Sequence, residues 1–439
     1  MAVNSSTYSG KQFAIYVAED NVVGTFNSAS NGSEFHRLDL DAFVIPSFNP
    51  TLEFEMRTGA GRVASEDAVF VSEKGTVREF SISGRLTQTD AQIFLEAVTG
   101  VAQASETITL ATGWSGPSNL AHGDAVETDE WEKTLSFYFQ SPIGDASWKL
   151  AGCVCTSLEL TADMGTASGR FNYNATFQTG YKPVKGEASM SSAATIDTNK
   201  LFLADMTSKT IAGINEALVT SLGINFSNPA IMLGQQGADG DPEVIARAVP
   251  ELEITYNANM KYDGDTEALF DTFKAGESVM FYAGKPAESW TIGGTLSANT
   301  DGAVTKTATT ITVSDVVADA GNFDVADTNH IMIDKEIMKV TAGSSGTSWT
   351  VVRGVDTPKD NHATNTPIYR ILNAAGNAAG TPPFDAPTQA TATGMAFDFN
   401  SSKITSIDFD SGDVAAINVT AKVLDDGTNN IAKILLDFS

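Results

Sequence analysis

Along most of this 439-residue chain, apolar and polar residues alternate with a period of two. Leu52, Phe54 and Met56 interleave with Thr51, Glu53 and Glu55, and Phe80, Ile82 and Leu86 with Glu79, Ser81 and Arg85. Leu135, Phe137 and Phe139 share a face, as do Leu158 and Leu160, and then Phe171, Tyr173, Ala175 and Phe177. The pattern returns in Leu252, Ile254, Tyr256, Ala258, Met260 and Tyr262, in Met395, Phe397 and Phe399, and in Ile417, Val419, Ala421 and Val423. Neighbouring side chains of a strand point to opposite faces. One apolar face per strand therefore means antiparallel sheets with one side on a core. The chain is expected to be mainly β.

Two segments break the alternation. Thr89-Asp90-Ala91-Gln92 reads as a capping box, followed by the helical stripe Ile93, Phe94, Ala97 and Val98 and a left-handed stop at Gly100. A second helix is expected to open at Asp265, to carry Leu269, Phe270 and Phe273, and to stop at Gly276. The helices match because the chain repeats itself. Asn49-Pro50 recurs as Asn228-Pro229 at an offset of 179 (228 − 49). Phe94 recurs as Phe270, and Gly100 as Gly276, at an offset of 176 (270 − 94). Pairing Phe137/Phe139 with Phe397/Phe399 gives an offset of 260, which calls for an insertion in the second copy of length 84 (260 − 176).

A self-contained β pattern supplies the insertion. It runs through Ile311 and Val313, Ile331–Ile333, Ile337–Val340, Trp349–Gly354 and Ile368–Arg370. Asn373–Thr393, rich in Ala, Gly, Pro and Thr, leads back. Whole domains are tolerated at exposed loop tips. The reading is a first β domain at 1–185, a second at 186–302 and 387–439, and an inserted small β domain with its return linker at 303–386.

Motifs for chemistry are missing. Gly59-Ala60-Gly61-Arg62-Val63-Ala64 partly fits a dinucleotide fingerprint, but Ser65-Glu66-Asp67-Ala68-Val69-Phe70 after it has little helical periodicity, so a hairpin tip fits better than a nucleotide site. Cys153 and Cys155 lack a second pair for zinc and read as buried, inert thiols. His36, His122, His330 and His362 lie far apart and read as structural. The clusters Asp239-Gly240-Asp241-Pro242-Glu243, Asp263-Gly264-Asp265 and Asp408/Asp410/Asp413 lack the spacing of a calcium loop and read as turns and caps. No catalytic residue, cofactor or metal is expected, and the chain is not read as an enzyme. The stretch Met1–Asp20 lacks the charge and apolar run of a signal peptide. No stretch approaches the roughly 18 apolar residues of a membrane-spanning helix, so no membrane insertion is expected.

The charge balance narrows the function further. With 27 Lys+Arg against 54 Asp+Glu, the net charge is −27, which repels phosphate backbones. Phe43–Met56, the glycine-containing loop after it, Phe80–Leu86, the capped helix and Leu150–Leu160 together resemble the tail tube (major tail) proteins of tailed bacteriophages. Ile331–Val340, Trp349–Gly354 and Asn361-His362 resemble small β modules of phage structural proteins.

That resemblance implies two tandem tail-tube-like domains, of β-sandwich or barrel-forming type, each flanked by one α-helix. It implies homotrimeric rings of pseudo-sixfold symmetry that stack into an acid-lined conduit for viral DNA, which passes without specific binding. The partners implied are further copies of the chain and tape-measure, tip and terminator proteins; the location implied is the virion tail, assembled in the host cytoplasm. Ring-to-ring contacts are expected from Arg57, Arg62, Val63, Glu66, Phe70, Gln235 and Gln236, within the loops Arg57–Gly75 and Gly234–Ala248. Ile93, Phe94, Ala97, Leu269 and Phe273 are expected to pack the helices on the barrel. The alternatives are a tail-tip or hub protein of the same fold, or a secreted carbohydrate-binding β protein.

Overall fold

The computed structural model describes residues 13–437, apart from 22–23, 27–34, 41–50, 55–68, 73–76, 105, 115–132, 143–146, 167–168, 188–195, 207, 212–213, 216–218, 234–243, 248–251, 285–290, 316–328, 335, 344–345, 354–360, 373–393 and 411–414. The protein is mainly β: the described residues form 26 strands and two α-helices.

The first repeat runs β1 (Ala14–Glu19), β2 (His36–Arg37), β3 (Thr51–Phe54), β4 (Val69–Ser72), β5 (Arg78–Arg85), α1 (Gln88–Thr99), β6 (Thr107–Leu110), β7 (Leu135–Gln140), β8 (Ser147–Asp163), β9 (Asn172–Thr179) and β10 (Val184–Glu187). The second runs β11 (Ser208–Ile211), β12 (Ile214–Asn215), β13 (Val219–Ser227), β14 (Ala230–Leu233), β15 (Val244–Arg247), β16 (Glu253–Lys261), α2 (Gly264–Ala275) and β17 (Val279–Gly284). After β17 come the strands of the insertion, β18 (Thr291–Asn299), β19 (Thr310–Thr312), β20 (Asn329–Ile333), β21 (Glu336–Ala342), β22 (Ser348–Val352) and β23 (Pro367–Leu372). The repeat resumes with β24 (Gly394–Asp410), β25 (Ala416–Val423) and β26 (Ala432–Asp437).

The two repeats share one strand order. It is β2-β1-β7-β8-β9-β5 in the first and β12-β11-β17-β24-β25-β16 in the second, with β10 on β8 matched by β26 on β24. The irregularities match as well. The register shifts between Leu135 and Phe137 and between Val279 and Phe281, and again between Cys155 and Ser157 and between Ile404 and Ser406. At the second pair of bulges a threonine is the extra residue. The Thr156 hydroxyl donates to the Thr176 carbonyl at 3.2 Å, and the Thr405 hydroxyl to the Thr420 carbonyl at 3.1 Å. A bulge bends its strand and raises the local twist, so matching bulges bend β8 and β24 at matching points.

This register revises the alignment read from the sequence. Phe397 and Phe399 do not correspond to Phe137 and Phe139. They lie opposite Ala283 and Phe281, and Phe281 is the counterpart of Phe137. Thr405 follows Thr156 at an offset of 249, and Phe281 follows Phe137 at an offset of 144. The insertion between β17 and β24 therefore has a length of 105 (249 − 144) rather than 84. The shortfall arose because the first repeat carries its own extra segment, including β6, between α1 and β7. Two Phe-x-Phe pairs of equal alternation cannot be told apart without knowing which strand each one faces.

Two compact units result. Unit 1 comprises Met1–Ala104, Gly113–Phe202 and Gly223–Tyr256; unit 2 comprises Ser105–Thr112, Leu203–Leu222 and Asn257–Ser439. Each unit thus contains a segment that belongs by sequence to the other repeat, and neither ends at residue 185. In unit 2, β6 pairs with β26, Ile108 opposite Ile434. The core of unit 1 is aromatic: Phe137 meets Phe177 at 4.8 Å and Phe80 at 5.3 Å between ring centroids, and Phe94 of α1 meets Phe177 at 5.7 Å. In unit 2, Phe281 stacks on Phe399 at 5.4 Å.

The insertion has its own sheet, β18-β23-β20-β21-β22-β19, and its own core around the buried Trp349, Ile331, Ile333, Met338 and Ile368. Its first strand starts at Thr291, ahead of the boundary expected at 303. A buried polar cluster pins one end. Arg353 forks onto Glu336 with bonds of 2.7 and 2.6 Å and donates to the Thr305 carbonyl at 2.7 Å. His362 bridges the carboxylates of Asp334 at 2.7 Å and Glu336 at 2.8 Å. A buried carboxylate that loses its partner keeps its desolvation penalty. Arg353→Ala is therefore expected to destabilise the inserted domain by about 3–5 kcal/mol, read as a lower urea midpoint in the fluorescence of Trp349.

Candidate assembly surface

Both helices begin and end by local chemistry. The cap of α1 is Thr87, two positions earlier than the sequence suggested; its hydroxyl accepts from the Asp90 amide at 3.3 Å. Thr89 instead turns its amide and hydroxyl to Asp197, at 3.1 and 2.9 Å, and Gln92 bonds Glu96 rather than the cap. Asp263 caps α2: its carboxylate accepts from the Thr266 amide at 3.2 Å while the Thr266 hydroxyl accepts from the Asp263 amide at 2.8 Å. That reciprocal pair closes the first turn. Gly100 and Gly276 end the helices at φ +71° and +65°, where a side chain would be strained.

The surroundings of the two helices differ. In unit 1 the His36 ring meets Asp90 at 2.9 Å, and the Gln88 amide donates to the Asn199 carbonyl at 3.1 Å. Asn228, the landmark of the second repeat, is buried against the far end of α1. Its side-chain amide donates to the Val98 carbonyl at 2.7 Å and its backbone amide to the Thr156 carbonyl at 2.9 Å. It follows the end of β13, which runs beside β8 and whose Ile224 and Phe226 are fully buried.

The matched residues of the two units are therefore unequally covered. Leu86, Phe94, Ala97 and Leu160 are all 0% exposed in unit 1. Their counterparts, at offsets of 176 for the first three and 249 for the last, are Tyr262, Phe270, Phe273 and Phe409. Tyr262 and Phe270 are half-buried, Phe273 is 39% exposed and Phe409 62%. Phe409 stacks on Phe270 at 5.2 Å and meets the Tyr262 ring edge-on at 5.2 Å. Of the residues expected to pack the helices, Phe94, Ala97 and Leu269 are buried and Ile93 is half-buried. Phe273 points outward, where the first repeat has the small Ala97. The sequence signal for the patch was Phe409 itself, an aromatic set between Asp408 and Asp410 on the face its strand shares with Ile417 opposite.

Directly after each Asn-Pro pair comes a two-stranded hairpin, β3–β4 and β14–β15, at matching positions. Phe70 lies in β4 opposite Glu53. Arg57, Arg62, Val63, Glu66, Gln235 and Gln236 lie outside the described residues, as do His122, Asp239, Asp241, Glu243 and Asp413.

Cys153, Cys155, His362, Asp20 and Glu96 are buried. Burial pushes the Cys153 thiol well up. Both ring nitrogens of His362 are taken by carboxylates, so neither faces a substrate. Among the described residues, no three His, Cys, Asp or Glu side chains are gathered to hold a metal ion. Asp20 accepts from Thr134, Ser136 and the Gly152 amide, yet burial still pushes it up to about 6. Burial, then the Glu19 carboxyl beside it, pushes Glu96 up to about 8. No protein-family model matches this chain, and a search of curated proteins finds no match.

Glu96 makes stability depend on pH. It is protonated in the fold and ionised in the unfolded chain between its ordinary value of 4.5 and about 8, so its penalty grows as pH rises through that window. Glu96→Gln keeps an oxygen for the Gln92 and Gln103 donors. It is expected to leave stability at pH 4.5 unchanged and to raise the melting temperature at pH 8, flattening the dependence between. Equal melting shifts at both pH values would contradict this account.

Proposed function

We propose that the chain is a structural subunit of a tube, a tail tube protein of a tailed bacteriophage, that builds stacked rings for the passage of DNA. The observation that carries this reading is the duplication: one strand order, two matching bulges and two matching helices within a single polypeptide. Three such chains supply six near-equivalent β units, as the resemblance to tail tube proteins implies. A strand margin that needs a neighbour is satisfied by closing the sheet into a ring, which leaves no open edge.

The charge supports the same reading. A wall bearing carboxylates holds phosphates off the surface, and −27 per chain leaves ample charge for that role. The paired hairpins β3–β4 and β14–β15 are the elements that would reach an adjacent ring, with Arg57, Arg62, Val63, Glu66, Gln235 and Gln236 in their connections. The inserted domain, with a core of its own, would decorate the outside.

Negative-stain imaging of the concentrated protein tests the proposal. The expected outcome is rings that stack into tubes with a central hole wide enough for a duplex. Single rings that never stack would favour the tip or hub reading, and monomers at every concentration would overturn both.

A further inference from the structure

We infer that the aromatic face of unit 2 binds residues 43–50 of a second copy of this chain, with Asn49 of that copy at the end of α2. The internal duplication shows what such a face requires. In unit 1 the same face is closed by the segment that ends at Asn228, through the Val98 and Thr156 carbonyls. At an offset of 179, Asn228-Pro229 corresponds to Asn49-Pro50, and Ile224 corresponds to Ile45. At offsets of 176 and 249, the accepting carbonyls of Val98 and Thr156 correspond to those of Lys274 and Thr405. The donor sequence and the receiving face are thus each present once more in the chain.

Chemistry fits the pairing. Phe43-Val44-Ile45-Pro46 is apolar, as is the patch of Phe270, Phe273 and Phe409 that it would cover. Thr405 sits at the same bulge as Thr156, with the same hydroxyl bond, so the bend that offers the carbonyl is already in place. Residues 41–50 lie outside the described residues, between Leu40, which bridges to Gly84, and the hairpin strand β3. Each chain offers one such segment and one such face. That is a head-to-tail contact, which closes into a ring if its rotation divides a full turn and otherwise runs on as a filament. The inference deepens the tube reading by naming the partner surface within a ring, and it stands or falls separately from it.

Two experiments on the full chain decide it. Light scattering should give an oligomer for the native chain, and Phe409→Ser should weaken self-association at least about tenfold with the circular dichroism unchanged. A native chain that is monomeric throughout, or a Phe409→Ser chain of unaltered mass, overturns the inference. The second experiment mixes Asn49→Cys and Thr405→Cys chains before assembly and oxidises them. A disulfide-linked pair that forms only in the mixture is expected. No disulfide, or a closed monomer when both substitutions share one chain, overturns it. Tubes without the cross-link would retain the tube reading and reject this contact; cross-linked rings that never form tubes would do the reverse.

Discussion

The fold depends on how a bent strand is tied to the end of a helix. β8 and β24 are both 17 residues long, and both bulge at a threonine. Before the bend their residues are largely buried; beyond it β8 alternates strictly while the far end of β24 opens to solvent. The bend leaves a backbone carbonyl turned out of the ladder, and the helix ends with carbonyls of its own. Buried carbonyls need donors. In unit 1 a single asparagine meets both needs, its backbone amide on Thr156 and its side chain on Val98. In that unit Phe94, Ala97 and Leu160 are fully buried, Phe94 against Tyr173 and Phe177.

The second unit repeats the bend, the threonine and the helix stop but leaves Phe273 and Phe409 exposed and Tyr262 and Phe270 half-buried. Phe409, the largest departure, has 62% of its surface exposed where its counterpart Leu160 has none. Single exposed apolar residues are ordinary on a protein surface. A contiguous trio of Tyr262, Phe270 and Phe409 beside Phe273 is a patch of the kind that marks an interaction site. Duplication followed by unequal cover is what a subunit needs if one copy is completed within the chain and the other by a neighbour.

The insertion follows a different logic. Its first and last strands pair with each other, Thr291 opposite Leu372, so the chain leaves and re-enters the second repeat at one place. Such a module adds a core without disturbing the strands around it. Its buried Arg353–Glu336–His362 cluster joins the β20–β21 turn, the end of β22 and the segment before β23. Fully paired, those charges define the packing of a small domain; with one partner removed, they would oppose it.

Much of this was legible residue by residue: a mainly β chain, a repeat, two helices that end at Gly100 and Gly276, and a β module inside the second copy. Each of these is written in local period, caps and glycines, which short-range sterics and hydrogen bonds decide. The cap at Thr87, the partners of Phe397 and Phe399, the full length of the insertion and the exchange of segments between units emerged only once the strands were assembled. They depend on which strand lies beside which, and alternation looks the same whatever strand is opposite. Asn228 shows the division most clearly. Its place in a repeat could be read from the sequence, while its role depends on Val98 and Thr156, both of them in the other repeat.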